Sequence, residues 1–358
     1  MAQTAVKTRI IDGDGHVIED NRLAEFLPEP YRSHKFVGGP RLFPALDHLH
    51  NEPTISPPGS FNPAGPREWV EFLEDVGIES TVLYPTGGLA YGNITNRDWA
   101  IVLTKAYNDW LSEVYLKANS RFKGMALIPL QDVDEAVKEL RRAVTELGML
   151  GVILPSNGYK GNLGAKELWP VYAEADRLGC ALAVHGGAHF RFGMDHLDSY
   201  PPIHALGHPF GLMVSFAGIL FNGVFDKFKN VRIAFLEGGV AWLLLCLERF
   251  DASYSTHIPY NPRGDVLNLG QHRKVRHYIK DLIDSGRFFI GCEGDELEIG
   301  DAIRRVGPAP FFFSSDYPHE VNNDTCKEEI QELLENDDVS WDAKEGVLYR
   351  NAERFYKF

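Results

Sequence analysis

The sequence predicts an α/β fold, a (β/α)8 TIM barrel with inserted loops after strands 1 and 5. Three observations carry this expectation. The chain has 358 residues, more than one sandwich uses and natural for one barrel with insertions. Eight short apolar runs recur along it with helical periodicity between them, the alternation of a parallel sheet wrapped by helices. No Gly-x-Gly-x-x-Gly follows the first run and no P-loop occurs, so the open nucleotide-binding sheets lose their usual support. A single barrel domain over residues 1–358 is expected, without internal repeats or low-complexity tracts.

The first strand lies within Ile10 to Glu19 and runs from Ile10-Ile11 into Asp14-Gly15-His16. Asp14 and His16 are two apart, so extended backbone turns both side chains to one face, where they can share one ion. Gly13 and Gly15 let such backbone approach a crowded centre. Taken alone, the stretch reads more readily as a strand end and an Asp/Gly turn; the rest of the chain shifts that balance. Asn21 to Tyr31 is a short helical segment, and Phe36 to Pro66 is a long loop rich in Pro, Gly and His. Its Phe36, Phe43, Leu46 and Phe61 suit either a flap over a site or packing on the body.

Helical spacing returns with Trp69, Val70, Phe72, Leu73 and Val76, and Gly77 follows as a C-cap. Ser80 to Tyr84 is a strand closed by Pro85. The alternation then repeats: helix Asp98 to Ala118, strand Gly124 to Pro129, helix Val133 to Leu147, strand Gly151 to Pro155. Leu168 to Leu178 is helical, Cys180 to His185 a strand, Pro209 to Phe228 a helix and Val231 to Glu237 a strand. Trp242 to Tyr254 and Val275 to Ser285 are helical, and Phe288 to Cys292 and Pro310 to Ser314 are the last two strands.

Barrel chemistry gathers at the C-terminal ends of the strands. Polar residues there form a short and coherent set: Asp14 and His16 on the first, His185 on the fifth, Glu237 on the sixth, Glu293 on the seventh and Asp316 on the eighth. His185 alone serves equally as a core imidazole or as a ligand, and Gly186-Gly187 behind it favours an open site. Asp316 follows Phe311-Phe312-Phe313-Ser314-Ser315. A carboxylate beside such an apolar run needs a partner, and a metal explains it better than a turn does.

Charge excludes several classes of partner. Lys and Arg total 36 against 50 Asp and Glu, a net charge of -14, with no long basic run to neutralise phosphates. Nucleic acid and anionic membranes are therefore poor expectations. No apolar stretch is expected to span a bilayer and no signal-peptide pattern opens the chain, so a soluble cytoplasmic protein is expected. Cys180, Cys246, Cys292 and Cys326 are widely spaced, which predicts free thiols without a disulfide framework. The one local basic cluster, His257 and His272 to His277 with Arg273, Lys274 and Arg276, reads as a solvated helix face or subunit contact.

Asp14-x-His16, Ala183-Val-His185, the run Gly223 to Glu237-Gly-Gly and Ser314-Ser-Asp316-Tyr-Pro-His319 together resemble the amidohydrolase-related family that includes aminocarboxymuconate-semialdehyde decarboxylase and the resorcylate decarboxylases. Glu74 to Ile78, Arg121 to Gly124 and Glu146 to Gly151 extend the resemblance over nearly the whole chain. It implies a TIM barrel with one divalent metal held by Asp14, His16, His185 and Asp316, and frequent homo-oligomers, dimeric or larger. The family's decarboxylases usually place a histidine where this chain has Glu237. Binuclear members of the superfamily use a lysine after the fourth strand, but here that strand ends Val152-Ile-Leu-Pro-Ser156 and Lys160 lies far into the loop. Glu237 and Glu293 are the residues available for a second ion.

The expectation that follows is metal-dependent hydrolysis of a small organic substrate, an amide, ester, lactone or related bond, by metal-activated water. Asp316 would be ligand and proton acceptor, with Glu237 a second acid/base. Zinc is the default ion for two imidazoles and carboxylates, with manganese or iron as tolerated alternatives. The insertion after the fifth strand adds His189 as a proton donor and Arg191 as a carboxylate clamp, with His196, His204 and His208 nearby. His208 and Glu293 are further substrate-binding candidates. His319 and Glu320 read as support for the ligands, and Glu19 as a turn or capping contact. Two rivals stand beside hydrolysis: non-oxidative decarboxylation of an aromatic or unsaturated acid on the same metal, and a barrel that binds a ligand without catalysis.

Overall fold

The alternation of apolar runs and helices folds as eight parallel strands in the order β1 to β8. They are β1 Ile11–Val17, β2 Ser80–Pro85, β3 Phe122–Ala126, β4 Gly151–Pro155, β5 Ala181–His185, β6 Arg232–Leu236, β7 Phe288–Cys292 and β8 Phe311–Phe313. This computed structural model describes residues 8–33, 42–49, 58–258, 260–262 and 264–358. β8 meets β1 at a seam where Asp316 N donates to Asp14 O at 3.0 Å and His16 N to Tyr317 O at 2.7 Å. A parallel sheet curled on itself buries both faces of its strands, and every residue of β1, β4, β5, β6, β7 and β8 is buried.

The outer helices begin with α1 Pro66–Val76, which has proline in its first turn and closes on Gly77 at φ 90° with its N–H on Leu73 O. α2 Arg97–Leu111 is capped by Asn96 and passes into a wider π turn at Ser112–Leu116, so α geometry stops short of Ala118. α3 Val133–Thr145, capped by Asp132, and α4 Trp169–Leu178 follow as expected. The next helix differs. α5 spans Tyr200–Phe221 and α6 Val224–Lys227, so the helix starts at Tyr200 rather than Pro209 and breaks at Gly223, whose φ is 72°. Pro201 and Pro202 occupy the first turn, where no N–H is needed, and Pro209 sits inside the helix.

α5 also corrects the expectation that no apolar stretch is long enough to span a bilayer. It has 22 residues with a mean hydropathy of 1.4 in its most apolar window, but 56% of that window is buried, and it packs on β5 and a later helix. α7 Ala241–Thr256 and α8 Val275–Asp284 complete the sixth unit. The sequence reading missed α9 Ile299–Val306, whose two turns fall short of the roughly 11 to 18 residues over which helical spacing is read, and everything after β8: α10 Asn323–Glu335, α11 Trp341–Glu345 and α12 Asn351–Tyr356. α10 opens on a reciprocal cap between Asn322 and Thr325. The last turn of α12 seals the barrel, with the Tyr356 hydroxyl donating to Gly13 O beside the Tyr84 hydroxyl.

All four cysteines are free and buried, in line with small apolar side chains. Arg273, Lys274, Arg276 and His277 are exposed at the start of α8, far from the strand ends in sequence, and Arg276 pairs with Asp251. Between α3 and α4, Glu174 is 7% exposed and receives Arg141 Nε at 2.8 Å and Arg177 Nη2 at 2.6 Å. Arg177 and Arg141 hold its carboxyl down at about 2 against the opposing effect of burial. A depressed carboxyl contributes stability above its unfolded pKa that is lost as pH falls through the folded one. Glu174→Gln is therefore expected to cost about 1–2 kcal/mol at pH 7, discounted for the exposed arginines. The melting-temperature gap to the parent should shrink steadily between pH 4.5 and pH 2; a gap independent of pH would show that packing, not charge, holds this contact.

Candidate metal centre

β1, β5 and β8 bring their terminal polar residues to one point. Asp14 Oδ1 lies 3.0 Å from His185 Nε2 and 3.6 Å from His16 Nε2, and Asp316 Oδ1 lies 3.2 Å from His16 Nε2. Donor atoms of Asp14, His16 and His185 all fall within 4.8 Å of one another, as do those of His16, Asp316 and His319. His16 Nδ1 is 2.8 Å from Pro85 O, so that nitrogen carries the proton and Nε2 presents its lone pair inward. Buried Nε2 has no hydrogen-bond partner. Burial and the neighbouring His319 and His185 hold the His16 imidazole well below its ordinary value, hence neutral. A lone pair without a donor, facing two carboxylates, fits a divalent cation.

His185 is arranged in the same way. Its Nδ1 side faces Gly186 O at 3.2 Å and Glu237 Oε2 at 3.3 Å, while Nε2 faces Asp14. Burial alone would lower its pKa, but Asp14 and Glu237 outweigh this and raise it well above the usual range. Glu237 therefore stands behind His185, on the ring edge away from Asp14, where it orients the imidazole instead of meeting the same ion. Burial, reinforced by Glu237 and Glu320, pushes the Asp316 carboxyl well above its ordinary value. His319 Nδ1 lies 2.8 Å from Asp316 Oδ1 and its Nε2 2.9 Å from Thr86 Oγ1, and the ring stacks on His16 at 4.1 Å. Both of its nitrogens are engaged, so it positions Asp316.

Two of these residues adopt backbone that side chains rarely take: φ is 65° at Glu237 and 53° at Asp316. Such strain persists only where surrounding structure imposes it, and it concentrates at functional sites. Gly13 and Gly15 answer a different need from the one expected. A Cβ on Gly13 would lie 2.4 Å from Phe312, and one on Gly15 2.5 Å from Trp69 and 2.6 Å from Thr81 Oγ1. These glycines make room for core rings rather than for the ion. Glu19 accepts from the N–H groups of Gly87 and Gly88 at 2.8 Å each, capping the turn after β2.

The centre opens into a cavity of about 590 Å³ lined by Glu237, Asp316, Glu293, His204 and His208 among others. His204 and His208 belong to the first turns of α5, not to an irregular insertion. His208 Nδ1 lies 3.0 Å from Glu237 Oε2, so an imidazole from α5 stands beside the sixth-strand carboxylate. Burial alone would raise the Glu237 carboxyl, but His208 and His185 together hold it well below its ordinary value. The His189 and His208 rings meet edge to face at 4.3 Å, and burial with His208 pushes the His189 imidazole down to about 3. Arg191 is not brought to this group: it is exposed, at φ 67°, and lines a separate depression with Pro44 and Asn93. Lys160 is exposed in the loop after β4, so no lysine bridges the donors.

Part of the long first loop reaches this mouth. Phe61 stacks on His319 at 5.5 Å, Leu46 O accepts from His189 N at 2.7 Å, and Phe43 packs on Tyr107. Phe36 lies outside the described residues. A smaller depression of about 300 Å³ between Leu42 to Leu46 and Glu19 to Leu23 contains none of the donors. Gly186 is the closest constraint on the imidazole of α5: a Cβ there would lie 2.2 Å from His208 Nδ1 and 3.1 Å from Glu237 Oε2. Gly186→Ala is expected to displace His208 with the fold retained and to slow turnover on the order of 10²-fold. A shifted His208 ring resonance at unchanged melting temperature would confirm it; an unmoved ring would show that the loop yields instead.

Carboxylate and imidazole donors thus gather at the carboxyl ends of strands 1, 5 and 8 of a parallel barrel, a donor set that suits a divalent ion. Sequence comparison gives the family: residues 11–358 match the amidohydrolase family, and the chain belongs to it. It is 25% identical over 283 residues to the 2-amino-3-carboxymuconate-6-semialdehyde decarboxylase of Dictyostelium discoideum, covering 79% of this chain and 73% of that one. Identity to the gamma-resorcylate decarboxylase of Polaromonas sp. (strain JS666) is also 25%, over 304 residues, 80% of this chain and 86% of that one. The dihydroxybenzoic acid decarboxylase of Polaromonas sp. JS666, solved with manganese and the inhibitor 2-nitroresorcinol, has the same fold. Its TM-score is 0.67 at 20% identity, over 98% of this chain and 97% of that one.

Proposed function

We propose that this chain is a divalent-metal-dependent, non-oxidative decarboxylase of an aromatic or unsaturated carboxylic acid. The observation that carries this reading is that its relatives, aligned over most of both chains, are decarboxylases. It takes the place of hydrolysis, the expectation drawn from Glu237. Asp14, His16, His185 and Asp316 would hold the ion, and manganese, present in the Polaromonas structure, is preferred to the expected zinc. A bound divalent ion would supply positive charge that orients the substrate and offsets the charge of its carboxylate.

In the reaction the bond from the carboxyl group to carbon breaks, carbon dioxide leaves, and the electron pair left on that carbon takes a proton. Water is not consumed and no oxidant is required. The chain supplies position and the proton. Asp316 lines the cavity beside His16; as one of the residues that would hold the ion it would be ionised, a carboxylate placed to accept a proton. His319, pinned by Thr86, aims it. His208 from α5 stands beside Glu237 as a second proton-holding pair on the same cavity.

Hydrolysis keeps one observation in its favour, the carboxylate of Glu237 where a histidine is usual. The two readings separate in deuterium oxide. Manganese-loaded protein given a panel of hydroxy- and aminobenzoates is expected to release one carbon dioxide per product, with one deuterium on the carbon that lost its carboxyl group. Chelation should abolish this and manganese restore it. Oxygen from labelled water in the product, without gas, would establish hydrolysis instead.

A further inference from the structure

We infer that Tyr356, from α12, is a positioning residue for the metal centre: its hydroxyl pins a bulge in β1 that turns Asp14 toward the ion. This role rests on the proposed reading of Asp14 and His16 as ligands and not on which reaction the ion serves. The strand register contains the bulge. Asp12 pairs with Thr81 and Gly15 with Leu83, three steps along β1 against two along β2. One extra residue therefore sits between Asp12 and Gly15. Residues three apart on a regular strand point to opposite faces, yet a Cβ on Gly15 would lie 2.7 Å from Asp12 Oδ2 and 2.6 Å from Thr81 Oγ1. Positions 12 and 15 share a face.

That shift sorts the acids of β1. With unbroken alternation Asp12, Asp14 and His16 would all leave one face. The bulge sends Asp12 to Thr81 and Ser315 at the seam and leaves Asp14 with His16 and His185. A bulge breaks the ladder locally, so its backbone needs other anchors. Asp14 N donates to Asp12 Oδ1 at 3.2 Å, and Asp14 O accepts from Asp316 N at 3.0 Å. Gly13 O, in the bulge itself, accepts from the Tyr356 hydroxyl at 2.5 Å. That bond uses the one hydroxyl proton of Tyr356, so the Tyr84 hydroxyl, 2.6 Å away, is the donor to Tyr356. Tyr84 pairs with His16 across the strands, and its ring lies 6.2 Å from that of His16 and 5.1 Å from that of His185. Both tyrosines are buried, so removing the Tyr356 hydroxyl leaves Gly13 O short of a donor and frees the backbone that carries Asp14.

The test is manganese binding by calorimetry, with electron paramagnetic resonance of the bound ion, on the parent, Tyr356→Phe, Tyr84→Phe and the double variant, each held well below its melting temperature. Phenylalanine keeps the rings and removes only the hydroxyls. Tyr356→Phe is expected to bind one equivalent about tenfold more weakly, the low end of what a lost contact behind a ligand costs, with an altered resonance. Tyr84→Phe keeps the bond to Gly13 and should retain most of the parent's affinity. The double variant leaves no hydroxyl donor unpaired, so it guards against a folding failure of Tyr356→Phe, and it should bind manganese as weakly. A hydroxyl with a merely structural role would lower the melting temperature and leave affinity and resonance unchanged in both Tyr356 variants, which overturns the proposal. So does a loss in Tyr84→Phe as large as that in Tyr356→Phe, since the tyrosine beneath the imidazoles and not the bulge would then hold the ligands. A parent that binds no manganese removes the metal centre and this role with it; a parent that binds one equivalent, with variants that bind it equally well, removes the role alone.

Discussion

Asp316→Asn is expected to lose the ion and the reaction together while the protein stays folded. The substitution preserves shape, and asparagine tolerates the left-handed backbone found at this position, so strain does not confuse the outcome. What disappears is a carboxylate facing His16 Nε2 at 3.2 Å and His319 Nδ1 at 2.8 Å. Acid/base groups contribute on the order of 10² to 10⁴ in rate, and losing a ligand adds to that, so kcat/KM should fall by about 10³-fold or more. Manganese measured per chain after identical purification should drop with it. Stability should hold or rise, because a carboxyl crowded by Glu237, Glu320 and Asp14 is replaced by a neutral amide. A variant that keeps its ion and most of its rate would remove Asp316 from the centre and leave His319 and Asp14 to be tested in its place.

The second large effect is on stability and comes from Asp12, which no functional argument had singled out. Its carboxylate accepts from Thr81 Oγ1 at 2.6 Å, Ser315 N at 2.9 Å, Ser315 Oγ at 2.9 Å and Asp14 N at 3.2 Å. It thereby ties β1 to β2 and to the segment after β8, where the barrel closes. Asp12→Ala leaves these donors buried without an acceptor, each worth about 1–3 kcal/mol. The sum is an overestimate, because burial pushes the Asp12 carboxyl up to about 6 and its removal also relieves a buried charge. A net loss of about 3 kcal/mol is expected, seen as a melting temperature lower by about 5 °C. Since Asp12 holds the backbone of Asp14 and Ser315, manganese affinity should weaken by about 10- to 100-fold as well. Parental stability in this variant would mean that water replaces the carboxylate at the seam.

The strand pattern made most of the barrel legible. Eight runs with buried side chains on both faces read as continuous apolar segments, and those runs are the strands observed. Shorter or less periodic pieces escaped. α9 is eight residues long, and α10 shows an apolar stripe only against a strongly charged background. α5 was shortened because proline is usually read as a boundary, whereas Pro201 and Pro202 begin the helix and Pro209 is carried within it. Asp14, His16, His185 and Asp316 were legible because each sits where an apolar run ends, and barrel geometry sends such positions to one rim. Arg191 was misleading for the opposite reason. A loop position says nothing of direction, and its backbone turn leaves the guanidinium outside the group.

The barrel, the family and the strand-end positions of Asp14, His16, His185 and Asp316 are written in local sequence, because each depends on periodicity or on a short motif whose register is set within one strand. Tertiary structure alone decided which side of His185 Glu237 takes, that His208 from α5 stands beside it, and that α10 lines the cavity with acid. Those pairings join residues on separate elements, and no local pattern encodes the distance between two helices or the edge of a ring that a carboxylate meets. Packing chooses them, through the room left by glycines such as Gly186 and the seam held by Asp12.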